Sequence, residues 1–392
     1  MGLVEKNVNP SISVSLTALR LFGFWAPRGL GATRRLLYNC YGFVSFMFLL
    51  GTYLIIQVVD MFMIWGDLPL MTGTAFLLFT NLAQATKLAS VVLRERTLRN
   101  IVAGADQLLS AQQGEGREIV KSCVRETSLQ QLLYFCLTTV TVAGWASSAE
   151  KNQLPLRAWY PYDTSRSPAY ELTYVHQVGA LFAAAYLNVG KDTLVTALIA
   201  QVRCRLQLLA HRLRTLCDDL EPEGPQGMLT VQQEAVAWAR LREAARRHQE
   251  ALHAAARLQD CFSAPTFAQF SVSMVIICVT AFQLAAQTGN LVRLFSMGTY
   301  LLNMTFQVFL YCYQGDQLSE ESIDVAGAAY SSSWYRCGLR LRRALLVVMV
   351  RTRRPARLSA GGFTSLSLAS FMAIVKTSYS LFTVLQQADE RK

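Results

Sequence analysis

The sequence predicts an all-α integral membrane protein of seven transmembrane helices in an inverted topology, the amino terminus cytoplasmic and the carboxyl terminus extracellular. Three observations predict it. Of 392 residues, 52% are apolar and only 16% charged, too few charges for a soluble chain of this length. Seven stretches reach the roughly 20 mostly apolar residues that a bilayer crossing needs. Of the 37 Lys and Arg, 28 fall in four alternating connections, residues 1–35, 94–128, 201–262 and 313–360, and basic loops stay cytoplasmic. The outer segments hold six basic and seven acidic residues, against 28 and 18 in the inner ones. An odd number of crossings puts the two ends on opposite sides.

Taken in order, residues 1–35 form a cytoplasmic segment with no apolar core of the kind a cleavable signal peptide has. Residues 36–200 carry the first four spans, 36–59, 68–93, 129–147 and 171–200. They are helices, because lipid cannot satisfy an open strand edge. The connection 60–67 is so short that the spans it joins are antiparallel neighbours, whereas 148–170 is a sizeable outer loop. In 201–262, Val202, Leu206, Leu209, Leu213 and Leu216 recur at three- and four-residue spacing, so the fourth span continues below the membrane as a helix. The run Glu221 to Gly227 breaks it. Val231, Trp238, Leu241, Ala245, Leu252, Ala255 and Phe262 then resume an apolar stripe leading into the fifth span. The resulting cytoplasmic hairpin is either solvated intracellular structure or a platform on which subunits pack, and such regular stripes favour packing.

Residues 263–312 hold the fifth and sixth spans, 263–288 and 290–312. Residues 313–361 form a cytoplasmic anchor region, in which Leu345 to Val350 lie between Arg340, Arg342, Arg343 and Arg351, Arg353, Arg354. A helix over 338–354 is too short to cross and reads as cytoplasmic or interfacial. Pro355 ends it, and Gly361-Gly362 lets the chain re-enter as the last span, 362–387, before a short extracellular tail to residue 392.

Several functions are excluded. The net charge of +11 follows the membrane topology and forms no basic groove with interleaved aromatics, so no nucleic-acid partner is expected. None of the nine Cys lies in an outer loop, so no structural disulfide is expected, and no C-x-x-C spacing points to zinc. The sequon Asn303-Met304-Thr305 falls inside an apolar helix and should be silent. His248 and His253 are five apart, which misses the spacing of a helical metal site. Without a phosphate loop, metal cluster or nucleophile elbow, the chain is expected to be no enzyme and to need no cofactor. No Asp-Arg-Tyr follows the third span and no Asn-Pro-x-x-Tyr closes the seventh, as the inversion of a G-protein-coupled receptor's topology also requires. No inverted pair of broken helices points to a secondary transporter.

Two sets of residues are candidate sites. In the outer halves of the second, third, fourth and sixth spans, Phe76, Phe79, Thr80, Tyr134, Thr138, Trp145, Phe182, Tyr186, Met297, Tyr300 and Met304 mix aromatics with small polar groups. Such a mixture suits a small apolar ligand held by one or two hydrogen bonds, although each residue would serve equally as core or lipid-facing packing. In the last span, Phe371, Val375, Ser378, Phe382, Leu385 and Gln386 fall on one stripe. An apolar ring with small polar neighbours gates ions by dewetting, and the same residue types also let membrane helices pack closely. Lys376 needs a carboxylate or carbonyl partner at mid-membrane; a packing role is favoured, because a Lys in a cation pore repels its cargo.

The segments Ala158 to Asp163, Ser165 to Pro168 and Tyr170-Glu171 resemble the second outer loop of insect odorant receptors. Gly361 to Phe363, Ser365 to Leu368 and Val375 to Thr383 resemble that family's last-helix motif. Leu318-Ser319, Glu321-Ser322, Ala329 to Ser332 and Trp334-Tyr335 resemble the stretch ahead of its basic helix. The resemblance implies an odorant-gated, non-selective cation channel, assembled with a shared co-receptor as a heterotetramer in the plasma membrane of an olfactory neuron's dendrite. It implies a volatile ligand among the second, third, fourth and sixth spans, with Trp145 and Thr138 at the pocket lining. It also implies a pore lined by four last helices, with Phe382, Leu385 and Gln386 at its narrow outer part; Val375 and Ser378 of the stripe join them as candidate pore and gate residues. Two departures concern the gate: Leu381 stands where an aromatic is usual, and Gln386-Gln387 replaces a basic ending. The chain lacks the co-receptor's long insertion between the fourth and fifth spans and so resembles a tuning subunit. A gustatory receptor of the same fold would close on Thr-Tyr with a Gln-Phe end, where this chain has Ser378-Tyr379; a metabotropic seven-helix receptor is the alternative from another class.

Overall fold

A computed structural model of the chain describes residues 10–27, 29–66, 68–110, 114–147, 154, 160, 162, 167–221, 227–286 and 291–390. The protein is a helical bundle. Helices α1 (Pro10–Leu21), α2 (Ala32–Phe46), α3 (Thr52–Met63), α4 (Leu68–Leu93), α5 (Glu95–Ser110), α6 (Glu115–Ser147) and α7 (Ala169–Arg214) are followed by α8 (Val231–Ala286), α9 (Leu291–Ser331), α10 (Leu339–Thr352) and α11 (Leu368–Glu390). A π-helical turn at Met47–Gly51 joins α2 to α3 in one rod, so the seven long passages are α2–α3, α4, α6, α7, α8, α9 and α11. By length and composition alone, three of the described helices, over 169–214, 231–285 and 368–387, are apolar enough to cross a membrane. The others bury polar residues at helix contacts, such as Gln57 and Asp60 on α3 and Gln131 and Thr138 on α6.

The 46-residue α7 is the axis of the molecule. It packs against α1, α6, α8 and α9, and every residue from Leu187 to Cys204 is buried. The sequence places no helix in residues 1–35, yet Ile12, Leu16 and Leu19 form a fully buried face of α1 at helical spacing. That face lies on α7 because Gly190 leaves no room for a side chain: a Cβ there would stand 2.9 Å from the Ala18 Cβ. The Ser15 and Thr193 hydroxyls, 2.8 Å apart, close the contact. Two further extensions lie beyond the expected spans, since α6 begins at Glu115 and α9 runs on to Ser331.

The lower part of α7 buries Val202, Leu206, Leu209, Leu213 and Leu216 as their spacing predicts. The facing stripe on α8 follows the expected one only in part. Leu241 and Ala255 are buried and Leu252 and Phe262 pack against the core, but Val231 is 87% exposed and Trp238 38%, and the buried line also runs through Ala237, Ala244, Ala251, Ala254 and Leu258. Alanine carries little hydrophobic signal but permits close helix approach, so the packed edge lies beside the bulkier stripe that periodicity selects. Arg240 clamps the end of α7 by reaching Asp219 at 2.5 and 2.7 Å, and this contact holds the Asp219 carboxyl down at about 2. Residues 222–226, most of the expected breaker, lie outside the described residues.

All nine cysteines are free thiols. Cys217 and Cys337 nevertheless approach to 3.6 Å where α7 ends beside the entry to α10. The contact with Cys217, together with burial, raises the Cys337 thiol above its ordinary range.

The last passage starts later than expected, at Leu368 rather than 362. Residues 359–360 and 364–365 pair as an antiparallel β-hairpin, Ser359 with Ser365 and Ala360 with Thr364. Gly361 and Gly362 turn it at φ +62° and +79°, a region cheap only for glycine. The hairpin is stitched to α8 by Gly361 N–H donating to Ser263 O at 3.0 Å and Ser359 N–H donating to Gln259 Oε1 at 2.7 Å. The Ser367 hydroxyl then accepts from Ser370 N–H at 3.3 Å, an N-cap that sets the start of α11.

Candidate functional site

Between α4, α6, α7 and α9 the bundle encloses a cavity of about 60 Å³. Helix α4 contributes Thr80, Asn81 and Gln84; α6 contributes Thr138, Thr141, Val142 and Trp145. Small residues of α7, Ala184 and Ala185, leave the space open, and Asn188 stands one turn below them. Tyr300, Asn303 and Met304 of α9 close the far side. Trp145 and Met304, 5% and 4% exposed, share the apolar wall with Val142, Leu181 and Val189.

Most of the polar lining is already paired. The Thr80 and Tyr300 hydroxyls are 2.6 Å apart, Thr138 donates to Asn303 Oδ1 at 3.2 Å, and Asn81 Nδ2 donates to Gln57 Oε1 at 2.8 Å. These bonds fix rotamers around the void. A ligand there meets an apolar wall with a few polar groups already positioned, the usual composition of a small-molecule site.

Beneath the cavity lies a buried charge cluster. Asp192, 1% exposed, accepts from Lys87 Nζ at 2.6 Å, Tyr311 OH at 2.9 Å and Tyr134 OH at 3.2 Å, and also from Gln307 Nε2. Lys191, 2% exposed, donates instead to the Gln84 carbonyl at 3.0 Å. One carboxylate thus gathers α4, α6 and α9 onto α7. A charge inside a membrane bundle persists only when paired in this way.

Of the expected pocket residues, Thr80, Thr138, Trp145, Tyr300 and Met304 line the cavity. Met297 is buried in the same apolar cluster as Trp145 and Tyr300, and Phe79 packs against that cluster. Tyr134 lies elsewhere, since its hydroxyl belongs to the Asp192 cluster and its ring packs with Val189 and Leu310. Phe182 and Tyr186 also lie away from the cavity, stacked on each other at 6.3 Å, with Tyr186 against Phe135 and its hydroxyl 2.8 Å from that of Thr139. The Phe76 side chain is outside the described residues, as is most of the outer-loop motif around Trp159. Asn81, Gln84, Asn188 and Asn303 were not among the expected residues. Four amides within apolar spans are themselves a signal, since each is costly in lipid.

On α11, Phe371 and Ile374 pack against the core, and Phe371 meets Phe309 edge-on at 5.6 Å. Ser378 is 1% exposed and donates to Met274 O at 3.1 Å, so it faces α8 within the chain's own packing rather than open space. Val375, Phe382 and Leu385 are half-buried and Gln386 is exposed. Met372, Tyr379 and Val384 form an outward apolar face, 49%, 67% and 60% exposed. Only 6% of the apolar window of α11 is buried, against 89% for α7. Lys376 is exposed on the same helix, without a packing partner among the described residues.

The chain matches the family described as 7tm Odorant receptor over residues 67–379. It is 24% identical to odorant receptor Or1 of Anopheles gambiae, over 97% of this chain and 95% of that one. Identity to odorant receptor 46a, isoform A, of Drosophila melanogaster is 26%, over 80% and 81%. Its fold is similar to that of the insect olfactory receptor OR5 from Machilis hrabei, whose structure was solved in complex with eugenol. The TM-score is 0.80 at 17% identity, covering 96% of this chain and 97% of that one.

Proposed function

The chain belongs to the 7tm odorant receptor family, and from that membership we propose that it is an odorant-tuning subunit of a ligand-gated, non-selective cation channel. A small volatile binds among α4, α6, α7 and α9, and the response is carried to α11. The observation that carries this reading is the enclosed cavity walled by Trp145 and Met304, in a chain whose last helix is left almost bare. Such a bare apolar helix is free to meet lipid, other subunits or a pore. The partner is the shared co-receptor in a heterotetramer, with Val375, Ser378, Phe382, Leu385 and Gln386 on the pore helix. The 201–262 hairpin and α10 form the cytoplasmic anchor where subunits pack. The amino terminus is cytoplasmic and the carboxyl terminus outside, in the plasma membrane of the sensory dendrite.

Ligand binding shifts the gate only by its preference for the open state. The test is to record currents with and without the co-receptor in cells lacking G-protein signalling. Odorant-evoked current is expected only from the pair; a response that needs G proteins overturns the ionotropic reading. Within the pair, Trp145→Ala is expected to shift the dose response by about tenfold or more, since it removes a large part of the ligand's apolar contact. An unmoved midpoint would remove Trp145 from the site. Phe382→Ala or Leu385→Ala is expected to raise basal leak or alter cation selectivity, read from reversal potentials, with the odorant midpoint little changed.

A further inference from the structure

We infer that the cavity is tuned to hydroxyl-bearing ligands, alcohols or phenols, through the side-chain amides of Gln84 and Asn188, an assignment that rests on the odorant-binding reading above. Both residues line the cavity and are 5% exposed. Gln84 Oε1 and Asn188 Oδ1 are buried and accept no hydrogen bond. Other polar groups around the void are paired: Thr80 with Tyr300, Thr138 with Asn303 and Asn81 with Gln57. These two amides therefore form the floor with hydrogen-bonding capacity to spare, directly above the charge cluster that begins one turn lower at Lys87, Lys191 and Asp192.

An orphaned amide buried in an apolar bundle is destabilising until something pairs with it. An amide turned either way about its last torsion presents a donor pair on one side and an acceptor on the other. A hydroxyl both donates and accepts, so it satisfies the floor in either orientation. An ether, ester or ketone only accepts and leaves the carbonyl oxygens unpaired, and a hydrocarbon answers neither end. The apolar remainder of the ligand then lies along Trp145 and Met304, with discrimination residing at the floor.

The test is a panel of two- to four-carbon alkanols and phenol, each matched with its methyl ether, applied to the receptor co-expressed with the co-receptor. Each hydroxyl ligand is expected to act at a concentration at least about tenfold below its ether, the scale of one net hydrogen bond. In Gln84→Met and Asn188→Leu, which keep volume and remove the amide, that ratio is expected to fall toward one. The ratio is internal to each variant and does not depend on how much reaches the surface. If a variant is not delivered, the wild-type ratio decides. A wild-type ratio near one, silence toward every hydroxyl ligand, or a ratio unchanged in both variants overturns the inference. Trp145→Ala separates the two layers: if it moves every dose response while the wild-type ratio is one, the pocket stands and the hydroxyl preference falls. If it moves none, the odorant-binding reading fails first.

Discussion

Asp192→Asn is expected to abolish delivery of the receptor to the cell surface. The carboxylate is 1% exposed and holds four donors from three neighbouring helices, among them Lys87 at 2.6 Å. Asparagine keeps the shape and removes the charge, which leaves the buried Lys87 and Lys191 ammoniums without a counter-ion. Breaking a buried pair from one side costs roughly 3 to 5 kcal/mol, a large part of the 5 to 15 kcal/mol by which a folded protein is stable. The measurement is surface biotinylation, with the melting temperature of detergent-purified protein as a second reading. Lys87→Met alone should be milder, because Asp192 retains Lys191 as a neighbouring cation. Adding Lys87→Met to Asp192→Asn should recover part of the loss, because the strongest unpaired charge is removed with its partner. Wild-type surface levels in Asp192→Asn, or no gain in the double variant, would show that the cluster does not hold the bundle together.

Gly315→Ala is expected to disturb both stability and gating. A Cβ at Gly315 would stand 2.4 Å from the Leu366 Cβ and 2.6 Å from the Leu366 carbonyl oxygen. Leu366 cannot simply move aside, since its N–H is tied to Leu358 O at 2.8 Å and the hairpin behind it is fixed to Gln259 and Ser263 of α8. Overpacking of this kind costs about 1 to 3 kcal/mol. The displaced segment leads into the Ser367 cap and so carries the start of α11 with it. The expected result is a lowered melting temperature and an altered basal current. Gly179→Ala is the control: nothing lies within 4 Å of its would-be Cβ, and alanine favours a helix interior. Equal behaviour of the two variants would show that the α9 contact does not set the position of the last helix.

The expected architecture followed from composition because membrane spans carry a strong one-dimensional signal. Helix α4 runs over Leu68–Leu93, and the long continuation of α7 follows from leucines at helical spacing. Fainter elements were harder to read. Helix α1 has three buried aliphatics and a Pro at its first position, too short a pattern to stand out from a loop. The hairpin ahead of α11 depends on Gly361-Gly362 and on polar contacts to a helix about a hundred residues away. The candidate pocket was legible in part: aromatics and hydroxyls pointed to the right helices, but not to which face of each helix turns inward. Tyr134, Phe182 and Tyr186 satisfy the same compositional rule as Tyr300 and yet pack elsewhere. On α11 periodicity puts Ser378 on one stripe with Phe382 and Leu385, yet Ser378 is held against α8.

The sequence by itself determined that this is an all-helical membrane chain with seven long passages, which parts of it are basic, and to which family it is related. Hydropathy and charge are local sums along the chain, and a bilayer enforces them wherever the helices pack. Tertiary structure alone decided which polar residues meet inside the bundle: Asp192 at the crossing of four helices, paired amides on one side of a cavity, and the unpaired amide oxygens of Gln84 and Asn188 at its floor. That assignment depends on helix rotation and on the few ångströms conceded by Gly190, Ala184 and Ala185, which no periodicity in the chain encodes.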